Sequence, residues 1–239
     1  MTVLAVSVAF AVVAVGAAVQ GSVGFGAALI AAPVLALIDP RLVPAPVIVT
    51  GLVLNLLMVR RERAHTQWSD VAWPISGLVP GALGGAALLA AAASTRQLGA
   101  LMGTMILVGV GLSAWGLHPR RSRATLLGAG TLSGFMQSTV GAGGPPIVLV
   151  LQHEDGPVLR STLSRFFVVS CLVSLTMLAF FGQIEGEDAA LSLMLIPGTV
   201  AGFAASGWTA RHVDGPRARV VVLALAGVAG AAVLVRALL

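Results

Sequence analysis

The chain has 239 residues, 57% of them hydrophobic and 10% charged, with a formal net charge of +5. Soluble domains carry about 25% charged residues, so this composition excludes a water-soluble fold. Apolar runs of bilayer-spanning length recur throughout, which is the pattern of a polytopic all-α membrane protein in contact with the lipid bilayer. A positive charge balance can also mark a nucleic-acid binder, but here the arginines stand between apolar segments. They are topological signals, and no nucleic-acid partner is expected. The one cysteine, Cys171, leaves no intrachain disulfide and no cysteine-built zinc site.

In chain order, the first apolar segment covers residues 3–19 and the second 27–38. The first has no basic flank, so a cleaved signal peptide is not expected. The second, at 1.5 Å per residue, is about 18 Å long, short of the roughly 30 Å hydrocarbon core. Between them stands a glycine-rich stretch, Gln20-Gly21-Ser22-Val23-Gly24-Phe25-Gly26. Segments three to five cover 43–59, 71–93 and 98–117. Segment six, 124–137, meets a short segment seven, 144–153, at a second such stretch, Gln137-Ser138-Thr139-Val140-Gly141-Ala142-Gly143-Gly144-Pro145-Pro146. Segments eight to ten cover 159–181, 189–210 and 220–239.

The two glycine-rich stretches are copies. An offset of 117 carries Gln20 onto Gln137, Val23 onto Val140, Gly24 onto Gly141 and Gly26 onto Gly143. It still holds sixty residues later, where Pro80-Gly81 falls on Pro197-Gly198 and Gly85 on Gly202. The chain therefore reads as two transmembrane repeats, residues 1–119 and 120–239. Each has about five helical segments, and the first two of each are a broken or re-entrant pair.

Loop charges orient these repeats. Arg60, Arg61, Arg63, Arg120, Arg121, Arg123, Arg160, Arg211, Arg217 and Arg219 fall on one side when the crossings are counted. Arg41, Arg96 and Arg236 fall on the other, with Glu185, Glu187 and Asp188. The arginine-rich side is the expected cytoplasmic face of a prokaryotic inner membrane, with Trp68, Trp73, Trp115 and Trp208 near it as interface anchors. An odd number of segments per repeat makes the second copy inverted. Inverted repeats with discontinuous helices are the arrangement of many secondary transporters, whose sites lie at the midplane.

Non-helical backbone at membrane depth must be buried in protein or line a cavity. Gly24, Gly26, Gly141, Gly143 and Gly144 allow a backbone to approach a ligand closely. Pro145-Pro146 opens a helix whose N-terminus and dipole make an anion site without a formal charge. Gln20, Gln137, Ser22, Ser138 and Thr139 add neutral donors. Glycines that only let helices pack closely are the alternative. Arg165 has two readings, an anion-attracting charge at the cytoplasmic mouth or a side chain snorkelling to the headgroups. Asn55 reads as an interhelical hydrogen-bond donor, with ligand contact as the alternative, Cys171 as core packing, and His65, His118, His153 and His212 as solvated loop residues without metal-ligand spacing. No Asp or Glu lies deep in a crossing, which argues against a proton relay, a cation pathway or an acid–base hydrolase. A small anion remains, with no cofactor and no metal.

With these two motifs and the Pro-Gly segments at Pro80 and Pro197, the chain resembles the sulfite exporter TauE/SafE family, also called toluene sulfonate uptake permeases. The resemblance covers nearly the whole chain and implies transport of sulfite, sulfoacetate or related organosulfonates across a prokaryotic cytoplasmic membrane. Phe25, Ala27 and Ala142 stand where family members often have longer glycine runs. An anion channel and an intramembrane enzyme acting on a phosphorylated lipid are the alternatives, and a homodimer is left open.

Overall fold

The computed structural model describes residues 2–62, 68–92, 94–114, 119–209 and 216–238. His65, His118, His212, Trp115, Arg63 and Arg211 lie outside them, as do the side chains of Trp68, Arg217 and Arg219. Among the described residues ten α-helices follow one another: α1 (Val3–Val23), α2 (Ala27–Ile38), α3 (Ala45–Arg61), α4 (Trp68–Ala91), α5 (Thr95–Ala114), α6 (Arg123–Val140), α7 (Gly144–Leu151), α8 (Gly156–Phe180), α9 (Gly186–Thr209) and α10 (Pro216–Leu238). There is no strand among the described residues. Six stretches of the described residues are long and apolar enough to cross a membrane: Val3–Val23, Pro40–Arg61, Val71–Ala91, Arg96–Ala114, Gly156–Phe180 and Gly186–Trp208. Val3, Phe180, Leu193 and Val228 stand exposed on helix faces, an apolar outer surface that only lipid would cover.

Two helices run further than the sequence suggests. The apolar runs stop at residues 19 and 137, yet α1 continues to Val23 and α6 to Val140. What ends each helix is a left-handed glycine. Gly24 (φ 105°) donates its N–H to Gln20 O, and Gly141 (φ 73°) donates to Gln137 O. This is a glycine C-cap, and a side chain at either position would be strained. Gln20 and Gln137 thus stand in the last turn of a helix, and the breaks themselves are Gly24–Gly26 and Gly141–Gly143.

Helix pairing follows the offset. α1 packs on α9 and α6 packs on α4; α2 packs on α10 and α7 on α5; α3 packs on α8 and α5 on α10. Adding 117 to the first-copy partner's numbers and subtracting it from the second-copy partner's turns each pairing into another of the set or into itself.

The closest crossings use matching glycines. A Cβ on Gly81 would lie 1.9 Å from Thr131 O, and one on Gly202 2.0 Å from Ala14 O. Gly85 and Gly198, their partners in the other copy, would meet Phe135 O at 2.6 Å and Phe10 O at 2.9 Å. Each helix, α4 and α9, therefore carries a Gly-x-x-x-Gly stripe against which its partner's backbone lies. Close packing is the role of these four glycines, which stand outside the two breaks. Gly202→Ala should destabilise the protein by about 1–3 kcal/mol, the usual result of overpacking. A lowered melting temperature in detergent checks this, with Gly207→Ala, where a Cβ meets nothing within 4 Å, as the neutral control.

Charged groups gather at two ends. At one, Arg61 and Arg160 meet Glu62, Arg121 meets Glu154, and the Arg123 guanidinium lies 5.2 Å from the Trp73 ring centroid. At the other, Arg41 meets Asp39 and Glu187, and Arg236 donates to Leu37 O. The Arg41 hydrogen bond holds the Asp39 carboxyl below its ordinary range.

Candidate functional site

Both breaks face one small cavity of about 50 Å³ in the middle of the bundle. Five pairs related by the offset stand in its lining: Gln20 with Gln137, Gly26 with Gly143, Ala27 with Gly144, Thr50 with Phe167, and Leu54 with Cys171. A water needs roughly 10–15 Å³ of such space, so the cavity holds a handful of non-hydrogen atoms, the size of a compact oxyanion.

The two glutamines do the same job in each copy. Gln20 Oε1 accepts from Ala27 N at 3.1 Å, and Gln137 Oε1 accepts from Gly143 N at 2.8 Å. Each side chain thus staples the end of one helix to the start of the next, satisfying an N–H that has no helical partner. Their amide nitrogens differ. Gln20 Nε2 donates to Asn55 Oδ1 at 3.1 Å, whereas Gln137 Nε2 has only Cys171 Sγ at 3.5 Å, a weak acceptor. Each amide nitrogen carries two N–H groups, and those of Gln137 are the less firmly held.

Backbone donors are distributed unevenly. Ala27, Ala28 and Leu29 open α2 ahead of the first intrahelical bond, Ile30 N to Gly26 O, and all three line the cavity. Ala27 N–H is taken by Gln20, which leaves the N–H groups of Ala28 and Leu29 without a helical partner. The α7 terminus was the expected donor, but two of its first three residues are Pro145 and Pro146, which carry no N–H. Gly144 supplies the one N–H of that turn, so α2 is the richer terminus.

The remaining candidates point elsewhere. Ser22 Oγ donates to Ala18 O at 2.9 Å and reaches Ser206 O at 3.3 Å, on the α9 side. Thr139 Oγ1 bonds back to Phe135 O at 3.0 Å, and Ser138 is buried under α4, 3.1 Å from where a Cβ on Gly85 would sit. Gly24 lies under Arg160. Arg165 Nη1 donates to its own helix, at Ser161 O (2.9 Å) and Ser161 Oγ (2.5 Å). None of these five is among the residues lining the cavity, whereas Gln20, Gly26, Gln137, Gly141, Gly143 and Gly144 all are.

Thr50, Asn55, Phe167, Cys171 and Thr199 also stand in the walls, and of these the sequence offers only Asn55 as a ligand contact. Asn55 does bond between helices, but as the acceptor, while its Nδ2 donates to Gly51 O at 2.7 Å. A signal was present for Phe167: it stands 117 after Thr50, a hydroxyl in mid-helix. No Arg, Asp, Glu or His lines the cavity, and no cluster of metal-binding side chains occurs among the described residues.

Fold and site together define a multi-pass α-helical membrane protein with a neutral, donor-lined cavity between two discontinuous helices. A model of the family described as "Sulfite exporter TauE/SafE" matches residues 8–233, nearly the whole chain, and the chain belongs to that family of membrane transporters. Neither the curated proteins nor the solved structures give a match to it.

Proposed function

We propose that this protein exports a small sulfur oxyanion such as sulfite or an organosulfonate, by alternating access around the cavity between its two breaks. The cavity carries this reading. It is lined by both copies of the repeat, it has room for a compact anion, and it offers N–H donors with no competing negative charge. Anions in proteins are held well by such helix N-termini and amides, where the dipole favours negative charge.

In this reading residues 1–119 and 120–239 are inverted repeats, and the exchange of helix pairings under the offset is what a two-fold axis between them would produce. The arginine-rich end faces the cytoplasm, as the positive-inside rule requires. Each negative charge leaving a cell with a negative interior gains about 2.3 kcal/mol per 100 mV. The potential can then drive export without a proton relay, in keeping with cavity walls that bear no carboxylate.

Radiolabelled sulfite flux in proteoliposomes tests this. Efflux should saturate with concentration and speed up when the interior is made negative. Flux equal to that of empty liposomes contradicts transport, and flux rising linearly with concentration identifies a channel.

A further inference from the structure

The arginine-rich end of the first break is closed by a charge cluster that the cavity does not account for. Arg61, at the end of α3, and Arg160, in the second turn of α8, both donate to one oxygen of Glu62. Arg61 Nε stands 3.3 Å and Arg160 Nε 3.2 Å from Oε1. Arg61 also donates to Ser206 Oγ at 2.6 Å and to Gly21 O, and its guanidinium lies 4.6 Å from the Phe203 centroid. The stem of Arg160 covers the break itself, with Cγ 3.0 Å from where a Cβ on Gly24 would be. Two residues further on, Gly26 is cavity wall.

Three features separate this cluster from an ordinary surface ion pair. Among the described residues two guanidiniums share one carboxylate, so positive charge is in excess. The bonds, at 3.3 and 3.2 Å, are longer than the roughly 2.7–2.9 Å typical of charge-assisted N–H···O bonds. The offset partners of Arg61, Glu62 and Arg160 are Leu178, Ala179 and Val43, all apolar, so the repeated architecture does not require the cluster. Val43 lines a cavity of about 280 Å³ at the opposite end, rimmed by Arg41, Gln183, Glu185 and Asp188. Where one end has an open cavity with carboxylates at its rim, the corresponding place at the other is shut by arginines around a carboxylate.

We propose that Arg61 and Arg160 form a second oxyanion site, in which the Glu62 carboxylate occupies the place an incoming sulfur oxyanion takes. Arginine forks recognise oxyanions by paired N–H donors, and the Glu62 oxygen is the kind of group they would exchange. An anion received there lies over Gly24, against the turn that leads to the cavity, and the displaced carboxylate swings to solvent. The assignment deepens the reading of the cavity, because an oxyanion cargo gives the two arginines something to receive.

Equilibrium binding of radiolabelled sulfite to purified full-length protein tests it. Wild type should bind one sulfite tightly, at the cavity, and a second weakly, against the competition of Glu62. Glu62→Gln should tighten the second site about tenfold or more, since a bond to a charged group is worth about 1.5–3 kcal/mol. It should therefore bind two sulfites per chain, and Glu62→Gln with Arg160→Gln should return to one. Arg160 carries the test because Arg61 also caps α1, and Glu62→Ala serves if Glu62→Gln does not purify as a single species. A Glu62 variant that elutes like wild type yet still binds one sulfite overturns the proposal. Loss of the cavity site is read separately: Glu62→Gln with Gln137→Glu should keep only the second sulfite.

Discussion

Gln137→Glu should bind sulfite at least a hundredfold more weakly than wild type at mildly alkaline pH, while folding normally. The substitution is nearly isosteric. A carboxylate oxygen still accepts from Gly143 N, now 2.8 Å from Gln137 Oε1, so the staple across the second break survives. What changes is the amide nitrogen, whose described partner is Cys171 Sγ at 3.5 Å. Losing one donor to a charged ligand costs about 1.5–3 kcal/mol, or ten- to a hundredfold, and a like charge at the same place adds repulsion. Gln137→Leu separates the two roles. It removes donor and acceptor together, so it should weaken binding by a similar ten- to hundredfold. It should also destabilise the fold by about 1–3 kcal/mol, because Gly143 N–H is left buried and unpaired. Isothermal titration and thermal melts of the two variants check this. Gln137→Glu binding within threefold of wild type would place the anion elsewhere.

Gly143→Ala should abolish binding and transport, and for a different reason. The position is not left-handed (φ −77°), so the backbone would tolerate alanine. Space forbids it. A Cβ there would lie 2.5 Å from Ser133 O and 2.9 Å from Gln137 Oε1, so it would push α7 away from α6 and break the staple at once. Gly144→Ala is the contrast. Its nearest neighbours would be Phe167 Cζ at 3.6 Å and Phe25 Cβ at 3.9 Å, ordinary contacts. The variant should fold and keep most of its binding, with flux measured in proteoliposomes alongside Gly143→Ala.

These two positions show how far the sequence carries the account. The offset that pairs Gln20 with Gln137 and Gly26 with Gly143 was legible because duplication leaves the same residue types at the same spacing. Both pairs do line one cavity. Where each helix stops was less legible. Polar residues such as Gln20 and Ser22 look like the end of an apolar run, but a helix ends where its carbonyls find a cap, which is Gly24. The serines and threonines of the motif were natural donor candidates, yet in a helix their hydroxyls bond back to the preceding turn, as Thr139 does to Phe135 O. The cavity walls from α3 and α8 could not be read from composition, because Phe167 and Cys171 are apolar residues in an apolar helix, and only tertiary packing turns that face toward the breaks. Among the charges, Arg165 stands deepest in its apolar segment. Its bonds stay on its own helix, and it is Arg61 and Arg160, from the loop-flanking runs, that converge on the first break.

The most direct measurement is a structure of the purified protein determined in saturating sulfite. The account predicts density for one oxyanion between Gly26 and Gly143, within hydrogen-bond distance of Gln137 Nε2 and of the Ala28 or Leu29 N–H. Density for the anion only outside this cavity, or an empty cavity at a concentration that saturates transport, would contradict it.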